Sequence, residues 1–301
     1  MTTVQERVRL ISDNKNLCLN TQYTTAKVEL CGICTLNCNF CYNKIMAKNK
    51  ERQKKMSFFN LYFVIQELKT IKSLKEVGLF YMGESGLNSN IIVGYKMLKN
   101  AGFFTYLTTN ATDIKYIKYA IPYIDSLKVS WNYQDIHDFI DKTNSAPRMY
   151  FRIINNINKL YDICHKFGKR LTISTVLDRN KKDFDNTLSK LKYDDHYFIP
   201  LQSQGGTNED GLDGVIGESD NPSSPIPCWS LFKGIYIDVD MNVRCCCYGH
   251  KEEHIIGNLL YKNLRNILNE IKLTDMKQLH LDGKIPEECI SCLRNQQKED
   301  S

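Results

Sequence analysis

Apolar residues alternate with polar ones in six short runs, and stretches of helical periodicity separate them. The runs AKVEL (26–30), EVGLFYM (76–82), FFTYLTT (103–109), SLKVSW (126–131), RLTISTV (170–176) and HYFIPL (196–201) are rich in β-branched and aromatic residues and read as strands. The segments 57–72, 91–101, 113–122, 147–167 and 183–193 read as helices; in the first, Leu61, Ile65 and Leu68 recur at the spacing of one helical face. Gly102 and Gly168 stand where two of these helices should stop. Strands alternating with helices predict an α/β fold: a parallel sheet, open or curled, with helices outside it. The loops that follow the strands then carry the chemistry, because the strand ends open onto one face.

The pattern breaks at 203–227, SQGGTNEDGLDGVIGESDNPSSPIP, whose Gly, Ser, Asp and Pro content reads as a long loop or linker. Beyond it FKGIYIDVDMNVRCC reads as a hairpin, and helices near 262–281 precede a polar tail. The expected division is an N-terminal extension (1–24), a β/α unit (25–201), a linker (202–227) and a small C-terminal domain (228–301).

Composition changes this picture little. The chain has 301 residues, 42% hydrophobic, with a formal charge of +6. That charge is mild, and the one basic run, KNKERQKK at Lys48–Lys55, reads as a solvated helix face or loop rather than a nucleic-acid contact. The start, MTTVQERVRL, lacks the basic and apolar regions of a signal peptide, and no apolar run is long enough to span a bilayer. The expectation is a cytoplasmic protein with no membrane partner.

Cysteine usage changes the picture more. There are twelve cysteines, and in a cytosolic chain clustered cysteines point to metal. Cys31, Cys34, Cys38 and Cys41 form one group; Cys228, Cys245, Cys246, Cys247, Cys289 and Cys292 form another; Cys18 and Cys164 are isolated. Cys164 reads as core, and its neighbour His165 as a surface or cap residue. Cys18 has no assigned role. Asp210 and Asp213 read as solvated loop residues that could line an entrance. His250 and His254 are weak candidates for iron ligation.

Cys34-Thr-Leu-Asn-Cys38-Asn-Phe-Cys41-Tyr42 follows the first strand. Three thiolates at CxxxCxxC spacing can hold three irons of a four-iron, four-sulfur cluster and leave the fourth iron open. Cys31 could complete a four-cysteine zinc set instead.

CTLNCNFCY resembles the signature of the radical S-adenosylmethionine (SAM) superfamily, and the resemblance spans about residues 24–201. Met82-Gly83-Glu84-Ser85 resembles that family's GGEP motif, with Met for the first Gly and Ser for Pro, which implies that Gly83 and Glu84 meet the SAM amino group. Thr108-Thr109-Asn110 resembles its TNG stretch. Tyr42, Asn110, Ser130 and Ser174 fall at places that imply SAM contacts, although Ser130 and Ser174 are equally well explained by capping. The fold implied is a partial (β/α)6 TIM barrel. The chemistry implied is chelation of SAM by a [4Fe-4S] cluster, reductive cleavage to a 5′-deoxyadenosyl radical, and abstraction of a hydrogen atom from a C–H bond. A reducing partner such as flavodoxin or ferredoxin follows from it.

The second group resembles the twitch/SPASM extension of these enzymes. Its ligands would be Cys228, one of Cys245–Cys247, and the pair Cys289 and Cys292, with Gly257-Asn258-Leu259 matching and Asp240-Met241-Asn242 carrying Met at the usual Gly place of the hairpin turn. The cysteines suffice for one auxiliary [4Fe-4S] cluster; a structural zinc is the alternative. Counting from the turn gives Cys246 as ligand. Side chains alternate along an extended segment, so Cys245 and Cys247 would face away, and one of them, with Cys247 preferred, would give a hydrogen atom to the substrate radical, as in epimerases of this architecture. Packing as small buried hydrophobes is the ordinary alternative. The expected activity is epimerisation of a ribosomal peptide or sugar-like substrate. Dehydrogenation and peptide cross-linking are the alternatives within the family, and a non-catalytic zinc or electron-transfer protein the alternative outside it. The first 24 residues are too short for a leader-binding domain, which leans toward a small substrate or a peptide held directly in the barrel.

Overall fold

The computed structural model describes residues 22–41, 52–177, 184–200, 227–249, 251–286 and 289. Six parallel strands carry the first two-thirds of the chain: β1 (Thr25–Val28), β2 (Glu76–Gly78), β3 (Phe104–Thr109), β4 (Ser126–Ser130), β5 (Leu171–Leu177) and β6 (Asp195–Pro200). Three more follow: β7 (Gly234–Ile237), β8 (Asn242–Arg244) and β9 (Ile255–Asn258). All nine belong to one sheet in the order β6-β5-β4-β3-β2-β1-β7-β8-β9. The first six are the strands of a partial (β/α) barrel. The hairpin β7–β8 is antiparallel, as its sequence predicts, but β7 also pairs in parallel with β1, from Thr25↔Gly234 to Val28↔Ile237. The C-terminal region therefore continues the barrel sheet.

Alternation decides the faces. Along β1, Ala26 and Val28 are buried and Thr25 and Lys27 half-buried; along β4, Leu127 and Val129 are buried and Lys128 and Ser130 half-buried. The buried set joins the apolar core under the helices, and the other set faces the barrel interior. Residues paired across parallel strands share a face, so Lys27, Gly78, Tyr106 and Tyr236 line the interior together, as do Thr108, Lys128 and Thr172.

The helices cover the outside. α1 (Phe58–Lys69) starts at Ser57, whose hydroxyl accepts from the Asn60 N–H, and buries Leu61, Val64, Ile65 and Leu68. α2 (Asn90–Asn100) ends before Gly102, at φ 85°. α3 (Ile117–Ala120) is shorter than its periodicity predicts: it passes into a 3-10 turn at Ile121–Tyr123, where Pro122 lacks the N–H that a longer helix would use. α4 (Ile136–Thr143) was not predicted. Its sequence, IHDFIDKT, is short but amphipathic, with Ile136, Phe139, Ile140 and Thr143 on one face, and local chemistry bounds it: Asp135 caps the His137 and Asp138 N–H groups, and Asn144 turns left-handed at φ 50°. α5 (Pro147–Lys166) ends before Gly168, at φ 65°. α6 (Asp185–Leu188) covers only part of its predicted span. α7 (Trp229–Lys233), α8 (Leu264–Leu268) and α9 (Ile271–Leu281) complete the described C-terminal part. β2 is shorter than its apolar run because the Leu79 N–H donates to the Tyr95 hydroxyl, at 3.1 Å, instead of to a neighbouring strand. No helix among the described residues is long and apolar enough to cross a membrane.

Candidate functional site

The loop after β1 carries the first cysteine group and is fixed from three sides. From β2's side, the Glu84 N–H donates to the Ile33 carbonyl at 2.8 Å. A Cβ on Gly83 would stand 2.0 Å from the Cys31 carbonyl oxygen, so this close approach needs glycine. From β3's side, Asn110 Nδ2 donates to Cys34 Sγ at 3.4 Å, while its Oδ1 accepts from the Thr112 backbone and hydroxyl. Thr112 in turn shares a hydrogen bond with Thr35 of the loop. From β4's side, Tyr133 Oη stands 4.0 Å from Cys38 Sγ.

Glu84 ties the first two sides together. Its buried carboxylate accepts from the Gly86 N–H (3.0 Å), Thr109 Oγ1 (2.8 Å) and the Asn110 N–H (2.9 Å). Burial raises its carboxyl above the usual range, and the three donors pull it back. In this structure its side chain organises the loops.

Cys34, Cys38 and Cys41 converge electrostatically. Burial pushes the Cys34 thiol well above its ordinary range, and Glu84, Cys38 and Cys41 push the same way. Burial pushes Cys38 up to about 12, with Cys41 adding to it and the Tyr133 hydroxyl opposing. Such thiols stay neutral unless a cation compensates them, and metal coordination deprotonates a thiol outright. Cys31 is apart from this set: it is fully buried, and its largest charged neighbours are Lys55, Glu29 and Glu84. Among the described residues, no three His, Cys, Asp or Glu side chains stand close enough to share one metal ion. Cysteines of a cubane cluster each take a different iron and need not crowd in that way, so the donor set fits a cluster corner.

Four buried side-chain polar atoms have no hydrogen-bond partner among the described residues: Glu29 Oε1, Ser85 Oγ, Trp131 Nε1 and Gln134 Nε2. Glu29 directly follows β1 on its interior face and Gln134 lies four residues after β4, whereas Trp131 continues the outward face of β4 into the apolar core. Buried polar atoms are ordinarily paired, so Glu29 and Gln134 are orphaned groups near the strand ends that carry the cluster loop. Ser130 and Ser174 are paired across β4 and β5 and share the interior face. Tyr42 lies outside the described residues.

The second group assembles around Cys228. Burial pushes its thiol up to about 12, and Cys247 and then Cys246 are its strongest sulfur neighbours. The alternation expected through the triplet stops short of it. β8 ends at Arg244, and residues 245–248 bend and turn, so Cys246 and Cys247 both act on Cys228. Cys245, by contrast, packs into the apolar core, with its N–H on the His254 carbonyl. Cys247 Sγ lies 3.7 Å from Ser230 Oγ and acts electrostatically on Lys27 and Tyr236 of the barrel interior. The Tyr81 hydroxyl, from the barrel, donates to the Cys246 carbonyl at 2.7 Å. Cys289 is half-buried; Cys292 lies outside the described residues, as do Cys18, Asp210, Asp213 and His250. His254 is buried, and its Nδ1 accepts from the Lys251 N–H at 3.3 Å. Cys164 is core and His165 is at the surface on Asp194, both as predicted.

One group escaped the sequence. Arg52, within the run predicted to be solvated, is buried: its guanidinium meets Glu29 at 2.7 Å and Asp238 at 3.3 Å, and Nη2 reaches Met82 Sδ at 3.4 Å. Arg244 holds the same Asp238 at 2.7 Å. This four-charge network joins β1, the cluster loop and the C-terminal hairpin. Charged Glu29 and Asp238 inside apolar strand sequences, AKVEL and GIYIDVD, were its visible signal.

The comparisons with known proteins agree with this geometry. Residues 28–191 match the radical SAM superfamily, and residues 228–293 match SPASM, an iron-sulfur cluster-binding domain. No curated protein matches the sequence. Among solved structures, BtrN in complex with AdoMet and 2-DOIA superimposes with a TM-score of 0.57 at 13% identity, covering 91% of this chain and 92% of that one. Native anSMEcpe with bound AdoMet and Cp18Cys peptide gives 0.62 at 12%, covering 91% and 88%. Streptococcus suis SuiB bound to precursor peptide SuiA gives 0.61 at 14%, covering 97% and 74%. At these identities the likeness is one of fold.

Proposed function

Because the chain belongs to the radical SAM superfamily, with a SPASM region after its barrel, we propose that it oxidises a peptide or small-molecule substrate by two electrons, as a dehydrogenase or a cross-linking enzyme. Radical SAM activity on such a substrate is the common ground; the direction of the outcome is the proposal. When bound, SAM and the first cluster supply a carbon radical that removes a substrate hydrogen atom, and an auxiliary cluster supplies a second redox centre.

Cys34, Cys38 and Cys41 would hold the first cluster, with Asn110 donating to the Cys34 sulfur and the Gly83–Glu84 backbone closing the loop. Tyr42, Ser130 and Ser174 would complete the SAM contacts. Cys228, Cys246, Cys289 and Cys292 would hold the auxiliary cluster. The barrel interior, lined by Lys27, Tyr106, Lys128 and Tyr236, would orient the substrate and exclude water.

The observation that carries this reading is the parallel pairing of β7 with β1. It makes the second cysteine group part of the barrel wall, beside the chamber where the substrate radical would form. The solved relatives support the substrate classes: one holds 2-DOIA with AdoMet, and two hold peptides.

Epimerisation remains the second reading, favoured by one observation: Cys247 acts on Lys27 and Tyr236 of the interior, a suitable place for a hydrogen-donating thiol. Turnover in heavy water separates the two. Oxidation gives a product lighter by two hydrogens, without solvent deuterium; epimerisation gives unchanged connectivity and one deuterium, because a thiol proton exchanges with solvent.

A further inference from the structure

The loop that carries the first cysteine group is held at Cys38 by a part of the fold that no motif marks. The Asn39 N–H, one residue beyond Cys38, donates at 2.8 Å to the carbonyl of Lys142 in the last turn of α4. Lys142 in turn donates from Nζ to the Asn132 carbonyl, just after β4, at 3.0 Å. Tyr133 follows. Its ring meets Phe139 of α4 edge-on at 4.8 Å and Trp131 edge-on at 5.3 Å, and it is 2% exposed. A ring packed on both sides in a dense core keeps its direction. That direction brings Oη to 4.0 Å from Cys38 Sγ, its one hydrogen-bonding partner among the described residues.

Coordination decides which of the two donates. As a thiol, Cys38 can give or accept this bond. As a cluster ligand it is a thiolate and has no proton to give, whereas a phenol keeps its proton at neutral pH. The Tyr133 hydroxyl is then the donor and the sulfur the acceptor. A hydrogen bond with one charged member is about twice as strong as a neutral one, so the contact gains strength when the sulfur is charged. Asn110 does the same at Cys34. Its Oδ1 accepts from the Thr112 N–H and hydroxyl, which fixes the amide and turns Nδ2 to Cys34 Sγ at 3.4 Å. Cys34 and Cys38 each face a donor whose direction the fold fixes.

We propose that Tyr133 is a positioning residue that sets the reduction potential of the first cluster, through the hydrogen bond from its hydroxyl to the Cys38 sulfur. The proposal rests on the reading of Cys38 as a cluster ligand and goes beyond it, because a ligand set alone does not fix a potential. Reduction brings one electron from an external reductant, and the added negative charge is shared with the sulfurs. A donor at a sulfur therefore stabilises the reduced form more than the oxidised form and raises the potential. Burial works in the opposite direction, since a low dielectric disfavours added charge. The hydroxyl of Tyr133 offsets part of that cost without admitting water.

Tyr133→Phe deletes the hydroxyl and keeps the ring. Native and variant proteins are reconstituted anaerobically and titrated with a low-potential reductant while the paramagnetic signal of the reduced first cluster is followed. That signal is the one missing from the Cys34→Ala, Cys38→Ala, Cys41→Ala protein. The Phe variant should keep its iron and be about tenfold harder to reduce, in line with the loss of one hydrogen bond to a charged group; for one electron that is a potential about 59 mV more negative. In heavy water the native signal should carry a coupled exchangeable deuteron that the variant lacks. An unchanged potential with iron retained would overturn the proposal, leaving Tyr133 a packing residue. Loss of iron in the Phe variant would also overturn it, because the hydroxyl would then be needed to build the site. A native protein without the signal would refute the underlying reading of Cys38 instead.

Discussion

The Tyr81 hydroxyl donates to the Cys246 carbonyl at 2.7 Å, across 165 positions of sequence. The ring of Tyr81 also lies 5.7 Å from that of Tyr236 on β7. A side chain from the barrel thereby holds the backbone of the second cysteine group in place. Tyr81→Phe keeps the ring contact and deletes the hydrogen bond. The expected cost is about 1 kcal/mol, or a fall of about 2–4 °C in Tm, with the iron content unchanged. Loss of half the iron would show instead that this bond is needed to build the auxiliary site.

The buried charge network makes stability depend on pH. Burial raises the Glu29 carboxyl from 4.5 to about 7, while Arg52 and the Val239 N–H pull it down; its orphaned Oε1 fits a protonated acid. Between those two values the folded chain keeps a proton that the unfolded chain has lost. The contribution is therefore full below about pH 4.5, falls as pH rises, and is gone above about 7. Its size is about 3 kcal/mol at most. Glu29→Gln imitates the protonated form, so the stability difference between variant and native protein should shift in the variant's favour from pH 5 to pH 7.5. Urea unfolding at the two pH values measures it, and a constant difference would refute the assignment.

Met241 occupies the hairpin turn with φ 68°, in the left-handed region that favours glycine. Strain there is about 1–2 kcal/mol. Yet Met241 is only 1% exposed and belongs to the core, and removing such a side chain costs about 2–5 kcal/mol. Burial outweighs strain. Met241→Gly should therefore lower stability, by up to about 4 kcal/mol on those two ranges, although glycine relieves the turn's backbone strain. A stabilised variant in thermal unfolding would reverse this ranking.

What the sequence made legible was whatever depends on local period or short spacing. Six parallel strands, the CxxxCxxC loop, the glycine stops at Gly102 and Gly168 and the buried Cys164 all belong to that class. The misses have physical causes. α4 carries the stripe Ile136, Phe139, Ile140 and Thr143, but at eight residues it spans only two turns between a strand and a long helix, and so short a period is easily passed over. Arg52 looked solvated because its acidic partners, Glu29 and Asp238, are 23 and 186 positions away. The pairing of β7 with β1 brings distant strands together, and no local pattern encodes it. Strand alternation carries on through the triplet Cys245–Cys247 in the sequence, but β8 ends at Arg244, and the turn sends Cys245 into the core and its two successors toward Cys228.

The central claim is that the loop after β1 holds a cluster that cleaves SAM. The most direct test compares native protein with the Cys34→Ala, Cys38→Ala, Cys41→Ala variant after anaerobic reconstitution, reading iron, circular dichroism and 5′-deoxyadenosine formed under a strong reductant. The native chain should carry about eight irons and form 5′-deoxyadenosine. The variant should keep its secondary structure, hold about four irons and form none. A variant that still releases 5′-deoxyadenosine, or a native chain that binds zinc and no iron, would contradict the account.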